Sequence, residues 1–160
     1  MGKTKTHLDY LEALNKLKNS GLSGGNEIDS LRDYGSDVLP DIKVRINKIL
    51  NIINETERPS HNMLFFVMYD IESNKVRNLV SKYLIKRGCT RIQKSIFLAD
   101  MPSEVCDEIK TALSQVQAMY ENSDSIIICP VSTDLIRAMK IIGKNIDVDL
   151  IMKNKNTLFF

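Results

Sequence analysis

The apolar and polar positions divide the chain into an N-terminal segment with helical periodicity and a longer part in which strands and helices alternate. Leucines recur at helical spacing over 7–19, and a second amphipathic stretch follows over 37–56. A glycine- and serine-rich connector separates the two stretches. The second stretch carries an apolar seam spaced 3-4-3-4: Leu39, Ile42, Ile46, Ile49 and Ile53. The pattern predicts two helices, each with one face that needs an apolar partner.

From Asn62 onward the periodicity changes to that of a mixed α and β domain. The apolar run Met63–Tyr69 predicts a buried strand, and a helix capped at residue 73 or 74 follows and ends at Gly88. The remaining predicted elements are a strand over 90–99 with a bend or break at 93–95, a helix over 103–120, a strand over 124–129, a helical turn over 133–139, and extended pieces at 141–142, 149–152 and 157–160.

This order of elements is that of a split β-α-β arrangement, the ferredoxin-like α+β fold, with helices on one face of an antiparallel sheet. We expect residues 1–60 to form a helical N-terminal extension and residues 61–160 to form the ferredoxin-like domain. The second face of the sheet is also apolar by strand parity, which predicts cover by a second copy in a two-fold dimer. The seam over 39–53 has two interpretations, packing on its own domain or binding a partner such as an integrase.

Charge is distributed unevenly although the net charge is only +2. Residues 73–99 contain seven basic and no acidic residues, and such sign segregation attracts polyanions. A solvated helix face is the alternative interpretation of the same run. The lack of interleaved aromatic residues favours contact with a duplex backbone over stacking on single strands. The basic residues are Lys75, Arg77, Lys82, Lys86, Arg87, Arg91 and Lys94.

The three cysteines, Cys89, Cys106 and Cys129, show neither zinc-ligand spacing nor a redox pair. Each has apolar neighbours, so we expect buried, reduced thiols and a cytoplasmic protein. The opening residues do not resemble a signal peptide, and no apolar run is long enough to predict a membrane span.

Asp70 is the first acidic residue after the apolar strand, and the cationic stretch comes soon after it. A carboxylate beside basic residues is an arrangement that can hold a divalent metal near a phosphate backbone. Taken alone, an aspartate at a strand end is more often a turn or cap residue.

Several short motifs together resemble a known family. Tyr69-Asp70-Ile71 is followed at characteristic spacing by Arg91-Ile92-Gln93 and Ser95-Ile96-Phe97, and later by Ile126-Ile127-Ile128-Cys129-Pro130. This combination resembles the CRISPR-associated endoribonuclease family, the second core protein of CRISPR adaptation, over about residues 62–160. Residues 1–60 lie outside the usual pattern of that family.

The resemblance implies a ferredoxin-like homodimer that takes part in antiviral defence by spacer acquisition. It implies assembly with the CRISPR integrase on double-stranded prespacer DNA, with Asp70 as the catalytic, magnesium-binding residue. The residues expected to bind nucleic acid are Lys75, Arg77, Arg87, Arg91 and Lys94, and those expected to be structural or substrate-orienting are Tyr69, Ser95 and Phe97.

Three functions remain open on this evidence. The first is an adaptor dimer that bridges integrase dimers and holds duplex DNA. The second is a magnesium-dependent endonuclease acting on RNA or DNA. The third is a ferredoxin-like, toxin-type endoribonuclease of the virulence-associated family, unrelated to adaptation.

Overall fold

A four-stranded antiparallel sheet forms the centre of the protein, and two further strands form a separate sheet. The structure, a computed structural model, describes residues 39–143 and the backbone of 146–149. The elements are α1 (Ile42–Ile53), β1 (Asn62–Asp70), α2 (Asn74–Lys86), β2 (Thr90–Gln93), β3 (Ile96–Pro102), α3 (Ser103–Ala118), β4 (Ser125–Pro130), α4 (Thr133–Arg137), β5 (Lys140–Gly143) and β6 (Ile146–Asp149). The strand order in the central sheet is β2-β3-β1-β4, and β5 pairs with β6. The predicted α+β, ferredoxin-like fold is confirmed. The helix predicted over 7–19, its connector and the extended pieces beyond 149 lie outside the described residues.

Local sequence signals account for most element boundaries. The Ser73 hydroxyl accepts a hydrogen bond from the Val76 amide at 3.5 Å and caps α2, as predicted. Gly88 follows α2 with a φ of 93°, a left-handed conformation that glycine adopts without strain. Helix α1 begins later than predicted, because the Asp41 carboxylate accepts from the Lys43 amide at 2.9 Å and makes Asp41 the N-cap.

Helices α2 and α3 close one face of the sheet, which we call the helix face. Phe65, Val67 and Phe97 point into this layer and are completely buried. Val80 of α2 and Ile109 of α3 meet them and are completely buried as well. This layer matches the two helices of the predicted split β-α-β unit.

The opposite face, which we call the Asp70 face, is covered in part by α1. Leu64 of β1 and Leu98 of β3 are buried there against Ile46 and Ile49 of the helix. The seam therefore packs on its own domain, which was one of its two interpretations. Helix α1 of the same chain supplies the cover that was expected from a second copy. The apolar stripe showed that this helix needs a partner, but a stripe does not identify the partner surface.

Three arginines attach α1 to its surroundings through main-chain carbonyls. Arg45 Nη1 donates to the Ile92 carbonyl of β2 at 2.7 Å. Arg58 Nη2 donates to the Ile52 carbonyl at 2.9 Å, while its Nε lies 2.5 Å from Asp100 Oδ2 on β3. Arg137 Nη2 of α4 donates to the Ile53 carbonyl at 3.3 Å. Cations at the C-terminal end of a helix also interact favourably with its dipole.

The three thiols differ in exposure. Cys89 and Cys106 are buried, as predicted, and burial raises the pKa of Cys89 to about 12. The prediction for Cys129 was wrong, since this thiol is exposed. Cys129 pairs with Phe66 in the β1–β4 register and so shares the side of the sheet that α1 covers incompletely. None of the helices described here has the length and apolar character needed to cross a membrane.

Candidate nucleic-acid and metal site at Asp70

Asp70 is the last residue of β1, and its side chain is exposed. Alternation along the strand places it on the same face as Leu64, Phe66 and Met68, which is the face that α1 partly covers. In the antiparallel register Asp70 lies opposite Ser125 of β4. The carboxylate therefore lies at the end of the apolar surface, where the sheet meets solvent.

A shallow cleft of about 360 Å³ surrounds Asp70. Lys94 and Ser95 border it from the β2–β3 turn, and Ser125 borders it from β4. Gln93, Ser125 and Ile127 also line the cleft, although none of them was predicted as a site residue. Strand pairing could have indicated Ser125, since it is the first residue of the strand that pairs with the end of β1, but pairing between distant segments is not visible in local periodicity.

The β2–β3 turn is held by hydrogen bonds to one carbonyl oxygen. The Lys94 carbonyl accepts from Arg91 Nη2 at 2.7 Å, from Arg91 Nε at 3.2 Å and from the Tyr69 hydroxyl at 3.3 Å. The Arg91 guanidinium also lies 5.7 Å from the centroid of the Phe97 ring. The position of Lys94 beside the cleft thus depends on contacts made by residues of the helix face.

Tyr69 and Phe97 lie on the helix face, opposite Asp70. Their rings stack with centroids 6.0 Å apart, and both residues are buried. Among the roles considered, this geometry favours structural support of the turn over contact with a substrate. Ser95 differs, because its carbonyl accepts from the Tyr69 amide at 3.1 Å while the residue also lines the cleft.

The structure divides the candidate basic residues into two groups. Lys75 and Arg77 lie in the first turn of α2, just after the end of β1, and Arg77 Nη1 donates to the Ile71 carbonyl at 3.4 Å. Together with Arg91 and Lys94 they belong to the Asp70 end of the sheet. Arg87 is different, since it lies about 18 Å from Lys75 along the helix axis, as the rise of an α-helix requires.

Arg87 forms an ion pair with Glu108 of α3. The contact joins the two helices of the helix face, and Glu108 is 62% exposed. Arg87 therefore has a structural partner at the far end of α2, and its predicted contact with nucleic acid competes with that partner.

Residues 63–139 match the family model described as CRISPR associated protein Cas2. This part of the chain is a Cas2-family domain. The match extends from β1 to α4 and includes Asp70 and all the candidate basic residues. No curated protein matches the chain in a sequence search.

Membership gives the protein a CRISPR-associated role in defence. The matched residues form the sheet and the helix face, whereas α1 and the β5–β6 hairpin lie outside the match. The helix that covers the Asp70 face is thus an addition to the Cas2 domain.

The donor groups at Asp70 fit magnesium only when further ligands come from outside the chain. Within residues 39–143, no group of three or more His, Cys, Asp or Glu side chains is placed to hold a metal ion. Magnesium commonly keeps several waters and uses one or two carboxylates with substrate phosphates. The single Asp70 carboxylate of this Cas2 domain satisfies that requirement when a phosphate or a second copy's carboxylate completes the set.

Among the described residues that line the cleft there is no histidine. His61 lies at the start of β1, about 30 Å from Asp70 at the usual rise of a strand. Its carbonyl accepts from the Ser103 amide at 3.3 Å, which gives the residue a structural contact at that end of the sheet. The cleft thus provides a carboxylate, two hydroxyls and a lysine, a set suited to holding a phosphate.

Proposed function

We propose that the protein is a CRISPR adaptation subunit, a homodimer that bridges integrase dimers in the cytoplasm and binds prespacer duplex DNA during spacer acquisition. The observation that carries the proposal is the Cas2-family domain with Asp70 exposed in a cleft that also contains Lys94. Basic residues at the same end of the sheet support contact with a phosphate backbone, because such contacts give affinity without reading sequence.

Within this function, Asp70 is the proposed site of a magnesium-dependent endonuclease activity. When bound, magnesium would polarise a phosphoryl oxygen and activate a water molecule. Asp70 would hold the ion, and Ser95 and Ser125 are placed to orient the phosphate or the waters around it.

The decisive experiment separates cleavage from adaptation. Asp70→Ala is compared with Asp107→Ala, which removes a carboxylate that is 72% exposed on α3. If Asp70 holds catalytic magnesium, Asp70→Ala lowers metal-dependent cleavage by about 100-fold, whereas Asp107→Ala leaves it unchanged. Spacer acquisition is measured in parallel with the integrase present.

The two readouts distinguish the roles of the site. Acquisition that persists in Asp70→Ala makes the adaptor role primary, and acquisition lost with the complex intact makes the metal site essential. Failure of the wild-type protein to bind the integrase or to support acquisition would refute the adaptor proposal and favour the toxin-type endoribonuclease.

Binding to duplex DNA has a separate test based on the two groups of basic residues. Lys94→Gln should weaken binding uniformly across sequences and reduce the salt slope by about 0.9, the value for one phosphate contact. Arg87→Gln is the matched control, since its side chain is already paired with Glu108. Equal losses of DNA affinity in the two variants would contradict the division of the basic residues into two groups. So would a wild-type affinity that does not change with salt concentration.

A further inference from the structure

Helix α1 occupies the layer next to the Asp70 face. Ile46 and Ile49 are completely buried, and Ile53 is 3% exposed. The helix buries Leu64 and Leu98 of the sheet, and Ile136 of α4 completes the same apolar cluster. This cluster is separate from the core beneath α2 and α3, so α1 forms a second core of its own with the sheet.

The cover is incomplete toward Asp70. Phe66, Met68 and Ile96 are only partly buried, and Ile127 on the same face is 57% exposed. An apolar groove of about 470 Å³ remains between α1, the sheet and β5. The groove shares Met68, Gln93 and Ile96 with the Asp70 cleft, so the uncovered apolar surface leads directly to the carboxylate.

Helix α1 and a second sheet would compete for the same space. Stacked sheets pack about 10 Å apart, and a helix with its side chains has a diameter of about 10 to 12 Å. A second copy therefore cannot stack on Leu64 and Leu98 while Ile46 and Ile49 contact them. Once α1 leaves, the face exposed along β1 is apolar. In a solution that contains only this protein, the apolar surface of matching shape that can cover it is the same face of a second copy.

We propose that α1 is an autoinhibitory cover that prevents two chains from pairing through their Asp70 faces. Pairing requires α1 to leave the sheet, which breaks the contacts of Arg45, Arg58 and Arg137 and exposes the second core. The homodimer of the proposed function then forms after this release, and in this respect the inference rests on that function. Release would also let the Asp70 carboxylates of two copies approach each other.

The test compares two substitutions on opposite sides of α1 in the full chain. Ile49→Asp places a carboxylate in the second core, whereas Val44→Asp places one at a position that is 45% exposed. Sedimentation velocity over a range of concentrations measures self-association without DNA or integrase. Hydrogen exchange of the α1 amides reports whether the helix has left the sheet.

We expect Ile49→Asp to dimerise at a concentration at least about 10-fold lower than the wild type, with loss of amide protection over α1. Val44→Asp should resemble the wild type in both measurements. The milder pair Arg45→Ala and Arg137→Ala removes two hydrogen bonds without altering the core, and it should shift dimerisation in the same direction by a smaller factor. If Ile49→Asp does not fold, the variant that carries Arg45→Ala and Arg137→Ala tests the proposal instead.

Two results would overturn the proposal. One is a wild-type dimer in which the α1 amides stay protected, because cover and pairing would then coexist. The other is a folded variant with released α1 that remains monomeric at all concentrations. Neither result requires a measurement of adaptation activity. The first result leaves the homodimer of the proposed function intact, whereas the second would contradict that homodimer as well, so the two failures can be told apart.

Discussion

The two faces of the sheet are built in different ways. The helix face is closed by two helices that the sequence places between successive strands, and Phe65, Val67 and Phe97 of those strands are completely buried. The Asp70 face is covered by one helix that precedes the whole domain, with arginine contacts at its edges and an apolar strip left partly exposed. The two faces of one sheet therefore differ in role. The helix face belongs to the folding core, whereas the cover of the Asp70 face is incomplete and can change.

The largest expected effect contrasts a core residue of the helix face with an exposed residue of the Asp70 face. Phe97→Ala removes a completely buried ring and should lower the free energy of unfolding by about 3 to 5 kcal/mol. Ile127→Ala should change it by less than about 0.5 kcal/mol, because the side chain is 57% exposed. Urea denaturation followed by circular dichroism measures both values, and similar losses would erase the distinction between the faces.

A second prediction compares two ion pairs. Arg58→Ala should cost about 2 to 3 kcal/mol, since it leaves the Asp100 carboxylate, 8% exposed, without its cation. Asp100 Oδ1 already lacks a hydrogen-bond partner within the structure, so Arg58 supplies the compensation. Arg87→Ala breaks the pair with Glu108 and should cost less than about 1 kcal/mol, because that carboxylate is 62% exposed. Thermal denaturation of both variants checks the ranking, which an equal loss would refute.

A third prediction concerns the alkaline stability of the helix face. Burial raises the pKa of Cys89 from 9.0 to about 12, so above pH 9 the unfolded chain loses a proton that the folded chain retains. This contribution is fully present below pH 9 and is lost as the pH rises toward 12. At pH 10 the loss is about 1.4 kcal/mol, and Cys89→Ala should remove that part of the pH dependence. Unfolding curves at pH 8 and pH 10 measure the difference, and identical slopes for variant and wild type would contradict it.

The smallest perturbation is chemical labelling of the thiols in the native protein. Cys129 should react rapidly with a disulfide reagent, because it is exposed on the Asp70 face. Cys89 and Cys106 should react only after unfolding, since both are buried beneath the helix face. Counting thiols before and after denaturant gives the result directly, and three fast thiols would mean that the helix face opens readily.

Much of the fold could be predicted because its signals are local. The Ser73 cap, the Gly88 stop and the break at Lys94 and Ser95 all stand where the sequence indicated them. Strand parity also placed Ile92, Ile96 and Leu98 on one side, as the second core confirms for Ile92 and Leu98. These features depend on residues within a few positions of each other.

The parts that could not be predicted depend on pairing between distant segments. A stripe of isoleucines predicts an amphipathic helix, yet only the folded sheet shows that Leu64 and Leu98 are its partners. Likewise, Arg87 and Lys94 belong to one basic run in the sequence, and the length of α2 together with Glu108 separates them. The exposure of Cys129 follows from its register opposite Phe66, which no local pattern contains.

The arginine contacts of α1 have a consequence for how this protein can change during evolution. Arg45, Arg58 and Arg137 all donate to main-chain carbonyls, at residues 92, 52 and 53. A carbonyl is present whichever side chain occupies those positions, so substitutions there need no compensating change in the arginine. These three main-chain contacts should therefore leave little pairwise covariation between positions, and contact inference from aligned sequences would tend to overlook them even in lineages that retain the arginines.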